Sequence, residues 1–230
     1  MTESAEVLRP TGDYASAIER ITVGKQTAND LRLLHARERY EFIGRRFGAQ
    51  SVDWIDLACG FGDNLFACAG MPAGARIAGV DCHRDVIESN RVDYPQITWT
   101  IRDAIQAVTL CNLPGYTRLI TCMETLGHRG IADDVELLKH MKEMAGKGGY
   151  VIASIGRFEI GCRFQPHWYF ARKYGAGGFA KLWRDAGFSK VEWFGQKYPA
   201  NRRHIITEHA VYPCDDRFNG ADFMIGVGIV

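Results

Sequence analysis

The chain has 230 residues, 47% of them hydrophobic and 24% charged, with a formal net charge of +1. That length and mix describe a single domain with a substantial core, and no window approaches the length of a membrane span. The opening Met1-Thr-Glu-Ser-Ala-Glu lacks a signal peptide's basic start and apolar run, and the seven cysteines form neither CxxC pairs nor Cys/His ligand spacings. A disulfide framework and a bound metal are therefore not expected, and a reducing cytoplasm is the expected setting.

Residues 1–12 read as a loose arm. From Asn29 to Phe47 the apolar residues Leu31, Leu34, Tyr40, Phe42, Ile43 and Phe47 fall on helical spacing, and Gly48 is a stop. Strand and helix signals then alternate. Strands are expected at 52–57, 76–80, 97–101, 117–122 and 149–154, and helices at 63–69, 84–92 and 131–145. Residues 155–175 break the alternation and read as a lid-like insertion. A helix over 177–186 ends at Gly187, and strands at 189–195 and 221–229 form a closing hairpin across a polar stretch that holds Pro199 and Pro213. The alternation predicts an α/β fold with a mostly parallel sheet and an antiparallel edge.

Three acids stand at three successive strand ends. Asp56 opens Asp56-Leu-Ala-Cys-Gly-Phe-Gly62, Asp81 ends Arg76-Ile-Ala-Gly-Val-Asp81, and Asp103 follows Ile97-Thr-Trp-Thr-Ile-Arg102. Each alone suits the cap of a following helix. Together, at intervals of one strand–helix unit, they outline a nucleoside-sized hollow at the carboxyl ends of the strands. A dinucleotide would need GxGxxG and a helix start free of negative charge. Here Leu65 replaces the third glycine and Asp63 sits at the helix start. A phosphate-free sulfonium nucleoside tolerates that acid, so S-adenosylmethionine is the better match.

The chain resembles class I S-adenosylmethionine-dependent methyltransferases of the small-molecule type over roughly residues 30–230. The resemblance rests on the acid-x-Gly-x-Gly-x-Gly loop at 56–62, with Ala58 for the first glycine, and on Asp81, the Asp103-Ala104 pair and Phe179–Phe188. It implies a Rossmann-like seven-stranded sheet in the order 3-2-1-4-5-7-6, with strand 7 antiparallel and helices on both faces. One domain would span 1–230, with 1–48 lying over the cofactor. It further implies S-adenosyl-L-methionine as cofactor and S-adenosyl-L-homocysteine as product. In that assignment Asp56, Ala58, Gly60 and Gly62 form the loop, Asp81 binds the ribose hydroxyls and Cys82 and His83 flank the adenine. Asp103 and Ala104 address its ring, Cys122 lies where the fourth strand faces the methyl group, and Tyr14 in the arm folds over the cofactor.

Met123-Glu-Thr-Leu-Gly-His128 resembles the Met-Glu-x-Leu-Glu-His stretch of small-molecule O-methyltransferases, with Gly127 in place of the second Glu. His128 or Glu124 is therefore expected as the base or as the group that orients the acceptor. Against this stands the plain structural alternative: Glu124 binds backbone amides and His128 caps a helix. The segment Phe158–Tyr198 holds twelve aromatics in 41 residues, against 11% for the chain. Half of these suit ordinary core, whereas His167, Trp168 and Tyr169 suit a lid on a planar substrate. Arg157 or Arg163 suits a substrate carboxylate. Between Arg157 and Arg203 stand ten Lys/Arg against three acids, which is either a solvated basic face or an attraction to anions.

The expected function is methyl transfer to an oxygen or nitrogen of a small metabolite in a biosynthetic route. Nucleic acid is disfavoured as a partner by the near-zero net charge, no membrane contact is expected, and an aromatic lid would suit a homodimer. The alternatives are an RNA methyltransferase using 157–203 and a non-catalytic, protein-binding relative.

Overall fold

The computed structural model describes residues 29–47, 52–60, 62, 65, 76–104, 117–128, 130–157, 171–197 and 211–230. Among the described residues eight strands form one sheet: β1 (Val52–Leu57), β2 (Arg76–Asp81), β3 (Thr98–Ile101), β4 (Thr117–Met123), β5 (Tyr150–Gly156), β6 (Lys190–Gln196), β7 (Val211–Cys214) and β8 (Phe223–Ile229). Their order is β3-β2-β1-β4-β5-β8-β6-β7. The first five run parallel, and β8 lies antiparallel between β5 and β6. The α/β class and the Rossmann-like layout are as expected, with two corrections. The sheet has eight strands rather than seven, and the expected seventh strand is β8. The extra strand β7 comes from the polar stretch and carries Pro213 opposite Phe194. Proline gives no ladder donor, so it is tolerated here because β7 pairs with β6 alone, at the sheet's outer edge.

Strand alternation sends side chains to two cores. Ile55, Leu57, Ile120, Cys122, Val151 and Ala153 face helices α3 (Asp134–Ala145) and α4 (Ala176–Asp185), meeting Leu137, Leu138, Met141, Phe179 and Trp183. Trp54, Leu119, Ile152, Ile225 and Val227 face α1 (Asn29–Phe47) and α2 (Arg84–Asp93), meeting Tyr40, Ile43, Phe47 and Ile87. At the amino end of the sheet, Arg76 grips Asp53 bidentately at 2.8 and 2.6 Å, which fixes the β1–β2 register at Asp53↔Arg76. The helix expected at 131–145 starts at Asp134, because the Asp133 carboxylate accepts from the amides of Val135 and Glu136 and so caps it. The helix expected at 63–69 falls outside the described residues, apart from Leu65. Among the described residues, no helix is long and apolar enough to cross a membrane.

Trp183 organises the α4 side. Its indole meets Phe179, Phe188 and Trp193 edge-on and lies against Gly226 and Gly228 of β8, where an added Cβ would come within 2.6 and 2.8 Å of the ring. Its Nε1 is buried without a hydrogen-bond partner among the described residues. Trp183→Ala should therefore cost about 3–5 kcal/mol in denaturant unfolding. Trp183→Phe, which removes an unsatisfied donor, should cost under about 1.5 kcal/mol. Equal losses for the two would contradict this account of the packing.

Candidate functional site

The site is built at the carboxyl ends of β1 to β4. Beyond β1 the chain turns back through residues in the left-handed region: Ala58 (φ 55°), Gly60 (φ 55°) and Gly62 (φ 67°). Ala58 bears the steric cost of that conformation, about 1 kcal/mol or more, which glycine would not. Trp99 from β3 lies under the turn, and a Cβ on Gly62 would stand 2.4 Å from its ring. The turn is bolted on both sides of Gly60. Its amide donates to Asp81 Oδ2 at 3.1 Å, and its carbonyl accepts from Asn90 Nδ2 of α2 at 2.8 Å.

Asp81 ends β2. Its Oδ1 accepts from the His83 amide at 2.9 Å and faces His83 Nδ1 at 2.7 Å. Burial alone would raise this carboxyl, but the His83 ring and amide and the Gly60 amide outweigh it and hold the carboxyl below its usual range. His83 is correspondingly pushed up to about 10, first by its bond to Asp81 and then by Cys82. It therefore stands as an imidazolium beside the turn. Cys82 is exposed, with Sγ 3.5 Å from His83 Nδ1. Asp103 is half-buried after β3, and Ala104 is buried.

Asp56 is placed differently from Asp81. It shares a strand face with Trp54, under α1, and is fully buried. It accepts from Tyr40 Oη at 2.8 Å and from Thr121 Oγ1 at 2.5 Å, and Thr121 Oγ1 in turn accepts from Trp54 Nε1 at 2.8 Å. Desolvation outweighs both hydroxyls and pushes Asp56 up to about 7. Cys122, enclosed on the opposite face of β4, is pushed up to about 12 by burial.

The loop after β4 carries Glu124 and His128. Glu124 is left-handed (φ 59°), and its amide donates to the Ser154 carbonyl at 2.8 Å. Its carboxylate pairs with the buried guanidinium of Arg39 from α1, which also donates to Gln196 Oε1 at 2.7 Å. The Glu124 side chain is 42% exposed. His128 Nδ1 accepts from the Gly130 amide at 3.0 Å, so the neutral ring carries its proton on Nε2. Burial first, and then the charge on His83, push His128 down to about 4. Gly127 (φ 81°) has no room for a side chain: a Cβ would stand 2.3 Å from the Arg172 carbonyl oxygen. Its amide donates to Asp134 Oδ1 at 2.9 Å, and Asp134 Oδ2 receives Arg172 Nε at 2.7 Å and Tyr174 Oη at 2.5 Å.

The structure thus brings together Ala58, Gly60, Gly62, Asp81, Cys82 and His83, with His83 close enough to act electrostatically on His128. Arg157 follows β5, with its amide on the Asp222 carbonyl and its Nη1 on the Phe218 carbonyl, both at 2.7 Å. Tyr14, Arg163, His167, Trp168 and Tyr169 lie outside the described residues. Sequence reasoning missed Arg39, Asn90 and Thr121, and it counted Tyr40 as part of an apolar stripe. Asn90 left a signal as a polar residue on the α2 face that carries Val86 and Ile87.

No family model matches the chain, and no curated protein matches it. Solved structures do. An S-adenosylmethionine-dependent methyltransferase from Thermotoga maritima is 17% identical, with a TM-score of 0.62 over 90% of this chain and 98% of that one. A methyltransferase from Haloferax volcanii, solved in complex with the Trm112 activator, is 18% identical, with a TM-score of 0.63 over 96% and 98%. Magnesium protoporphyrin IX methyltransferase from Synechocystis, solved with bound S-adenosylmethionine, is 16% identical, with a TM-score of 0.54 over 87% and 82%. The fold of this chain is that of S-adenosylmethionine-dependent methyltransferases of class I.

Two outcomes follow from the site's packing. The folded state keeps the Asp56 proton up to about pH 7, whereas the unfolded carboxyl loses it near 3.8. Folded chains therefore hold more protons across that window, and the Asp56 contribution to stability falls as pH rises, by roughly 4 kcal/mol at most. His128 acts oppositely between about 4 and 6.5, where the unfolded ring takes up a proton that the folded one refuses. Urea titrations should show Asp56→Asn gaining stability relative to wild type as pH rises from 4 to 7, and a pH-independent difference would refute the assignment. Gly127→Ala should lose about 2 kcal/mol or more in the same measurement, from its left-handed φ and the Arg172 carbonyl.

Proposed function

We propose that this chain transfers a methyl group from S-adenosyl-L-methionine to an oxygen or nitrogen of a small, planar or anionic metabolite, releasing S-adenosyl-L-homocysteine. The fold supports the reaction class, and the Synechocystis neighbour was solved with that cofactor bound. The observation that carries the reading is Asp81: an ionised carboxylate at the end of β2, tied to the Gly60 amide of the β1 turn. A two-oxygen acceptor there suits a pair of ribose hydroxyls. The acids at positions 81 and 103 and the left-handed turn fit a nucleoside without phosphate.

When bound, the cofactor supplies an electrophilic methyl group on a sulfonium. Around it, Asp81 holds the ribose, Cys82 and His83 flank the adenine, and Asp103 and Ala104 address the ring. Ala58, Gly60 and Gly62 let the ligand approach the backbone, whereas Cys122 is enclosed in the core against α3 and α4 and is not part of that surface. Asp56 acts from behind, bracing the turn through Tyr40 and Thr121 rather than meeting the ligand at the rim.

On the acceptor side, His128 holds its Nε2 proton at neutral pH, so it donates to the acceptor and orients it. Glu124, anchored by Arg39 yet partly exposed, takes the proton that the acceptor oxygen or nitrogen gives up as the new bond to carbon forms. A small acceptor is favoured over RNA because three of the seven described cations of the basic stretch, Arg157, Arg172 and Lys181, are engaged within the protein. Arg172 binds Asp134 and the Ile131 carbonyl, Lys181 pairs with Asp185, and Arg157 holds the Phe218 carbonyl.

Calorimetry should show S-adenosylmethionine binding to the wild-type chain. Asp81→Asn should weaken it by about 10- to 100-fold, as expected for loss of a hydrogen bond to a charged group. Incubation with methyl-labelled cofactor and fractionated metabolites should place the label in a low-molecular-weight fraction. Undiminished binding by Asp81→Asn would overturn the ribose assignment, and label confined to RNA would overturn the acceptor class.

A further inference from the structure

We propose that Asp81, Cys82 and His83 form a binding site for a borderline-soft divalent metal ion of the Zn2+ type. One carboxylate oxygen, Cys82 Sγ and a His83 ring nitrogen all lie within 4.8 Å of one another. The spacing suits tetrahedral coordination. With Zn–S near 2.3 Å and Zn–N near 2.0–2.1 Å, sulfur and nitrogen sharing a zinc stand about 3.6 Å apart. Cys82 Sγ and His83 Nδ1 are 3.5 Å apart already. The nitrogen–oxygen edge should be about 3.3 Å. It is 2.7 Å here because a hydrogen bond spans it, so metal entry asks for an opening of roughly half an ångström on that edge.

The donor set is selective. A thiolate, an imidazole and one carboxylate oxygen match zinc and its neighbours in the first transition row, whereas magnesium and calcium take oxygen shells. Three protein ligands leave a fourth position for solvent, and the exposure of Cys82 gives the ion a way in. The Gly60 amide on Asp81 Oδ2 fixes the carboxylate from behind and leaves Oδ1 for the metal. Coordination replaces the Cys82 thiol proton and the His83 Nδ1 proton, and both pass to solvent. Consecutive residues escape a search for separated ligand spacings. They converge here because the chain bends at Cys82 between the end of β2 and the start of α2.

The metal site stands on this geometry alone. A consequence for the nucleoside rests on the reading proposed above: Asp81 Oδ1 cannot serve both the metal and a ribose hydroxyl, so the two ligands exclude each other. Co2+ titrated into the purified full chain in a non-chelating buffer should give a thiolate-to-cobalt charge-transfer band that saturates at one equivalent and is displaced by Zn2+. Cys82→Ser should abolish the band, and Cys82→Ser and His83→Gln should each weaken binding by at least about tenfold. A wild-type chain without the band, or a Cys82→Ser chain that keeps it, overturns the proposal. A Co2+ site that is lost in Cys82→Ser but indifferent to S-adenosylmethionine keeps the metal site and overturns the placement of the ribose.

Discussion

The carboxylate of Asp81 is the point on which the site turns. It receives the Gly60 amide from the β1 turn and the amide and ring of His83 from its own side. Hydrogen bonds to a charged group contribute about 1.5–3 kcal/mol each, enough together to keep a largely buried carboxylate ionised. The same bonds set the terms for any ligand. A hydroxyl at Oδ1 would compete with the His83 ring, and a metal there would take the place of the hydrogen bond between Asp81 and His83, while Oδ2 keeps the Gly60 amide. Ligand binding and the shape of the turn are therefore linked through one side chain. The second bolt, from Asn90, keeps Gly60 in place whichever partner Oδ1 takes.

Helix α1 closes the other side through two adjacent residues. Tyr40 reaches down to Asp56, and Arg39 reaches across to Glu124 and Gln196 while its guanidinium lies 4.5 Å over the Phe223 ring. Both contacts bury polar groups, and burial makes each dependent on its partner. Desolvation pushes the Asp56 carboxyl up to about 7, so below neutral pH the group is a neutral link between Tyr40 and Thr121, with Trp54 behind the threonine. Arg39 has no such escape. Among the described residues, truncating Glu124 would leave a buried cation facing Gln196 and an aromatic ring. Loss of activity in a Glu124 variant would then report the fit of α1 as much as proton transfer, and Glu124→Gln separates the two better than Glu124→Ala.

The sequence announced the parallel sheet because short apolar runs, three of them closed by an acid, alternate with helical periods. It did not announce β7, since four residues containing Pro213 look like a loop until β6 supplies their partner. The acids at 56, 81 and 103 looked equivalent because all three close strands. What separates Asp56 from Asp81 is packing: Asp56 points under α1 into the core that holds Trp54 and Tyr40, and the tyrosine's hydroxyl was invisible in an apolar pattern. The substitution at Gly127 was legible as a departure from the Met-Glu-x-Leu-Glu-His pattern. Its cause is tertiary: the Arg172 carbonyl occupies the space that a side chain would need.

Gly127 also explains how the loop after β4 is kept in shape. The loop that carries Glu124 and His128 has two left-handed residues, Glu124 and Gly127, and is anchored at several points. Asp134 at the start of α3 holds the Gly127 amide with one oxygen and gathers Arg172 and Tyr174 with the other. The Gly127 carbonyl then takes the amides of Ala171 and Arg172 at 2.8 and 3.1 Å. An in-line displacement needs its reacting groups aligned closely, and small misplacements are costly. A glutamate at 127 would add a charge to the loop but would drive the 171–174 segment off it. The glycine gives up that charge for a loop fixed from behind. Glu124 and His128 are thereby carried on a loop whose backbone is held at several points.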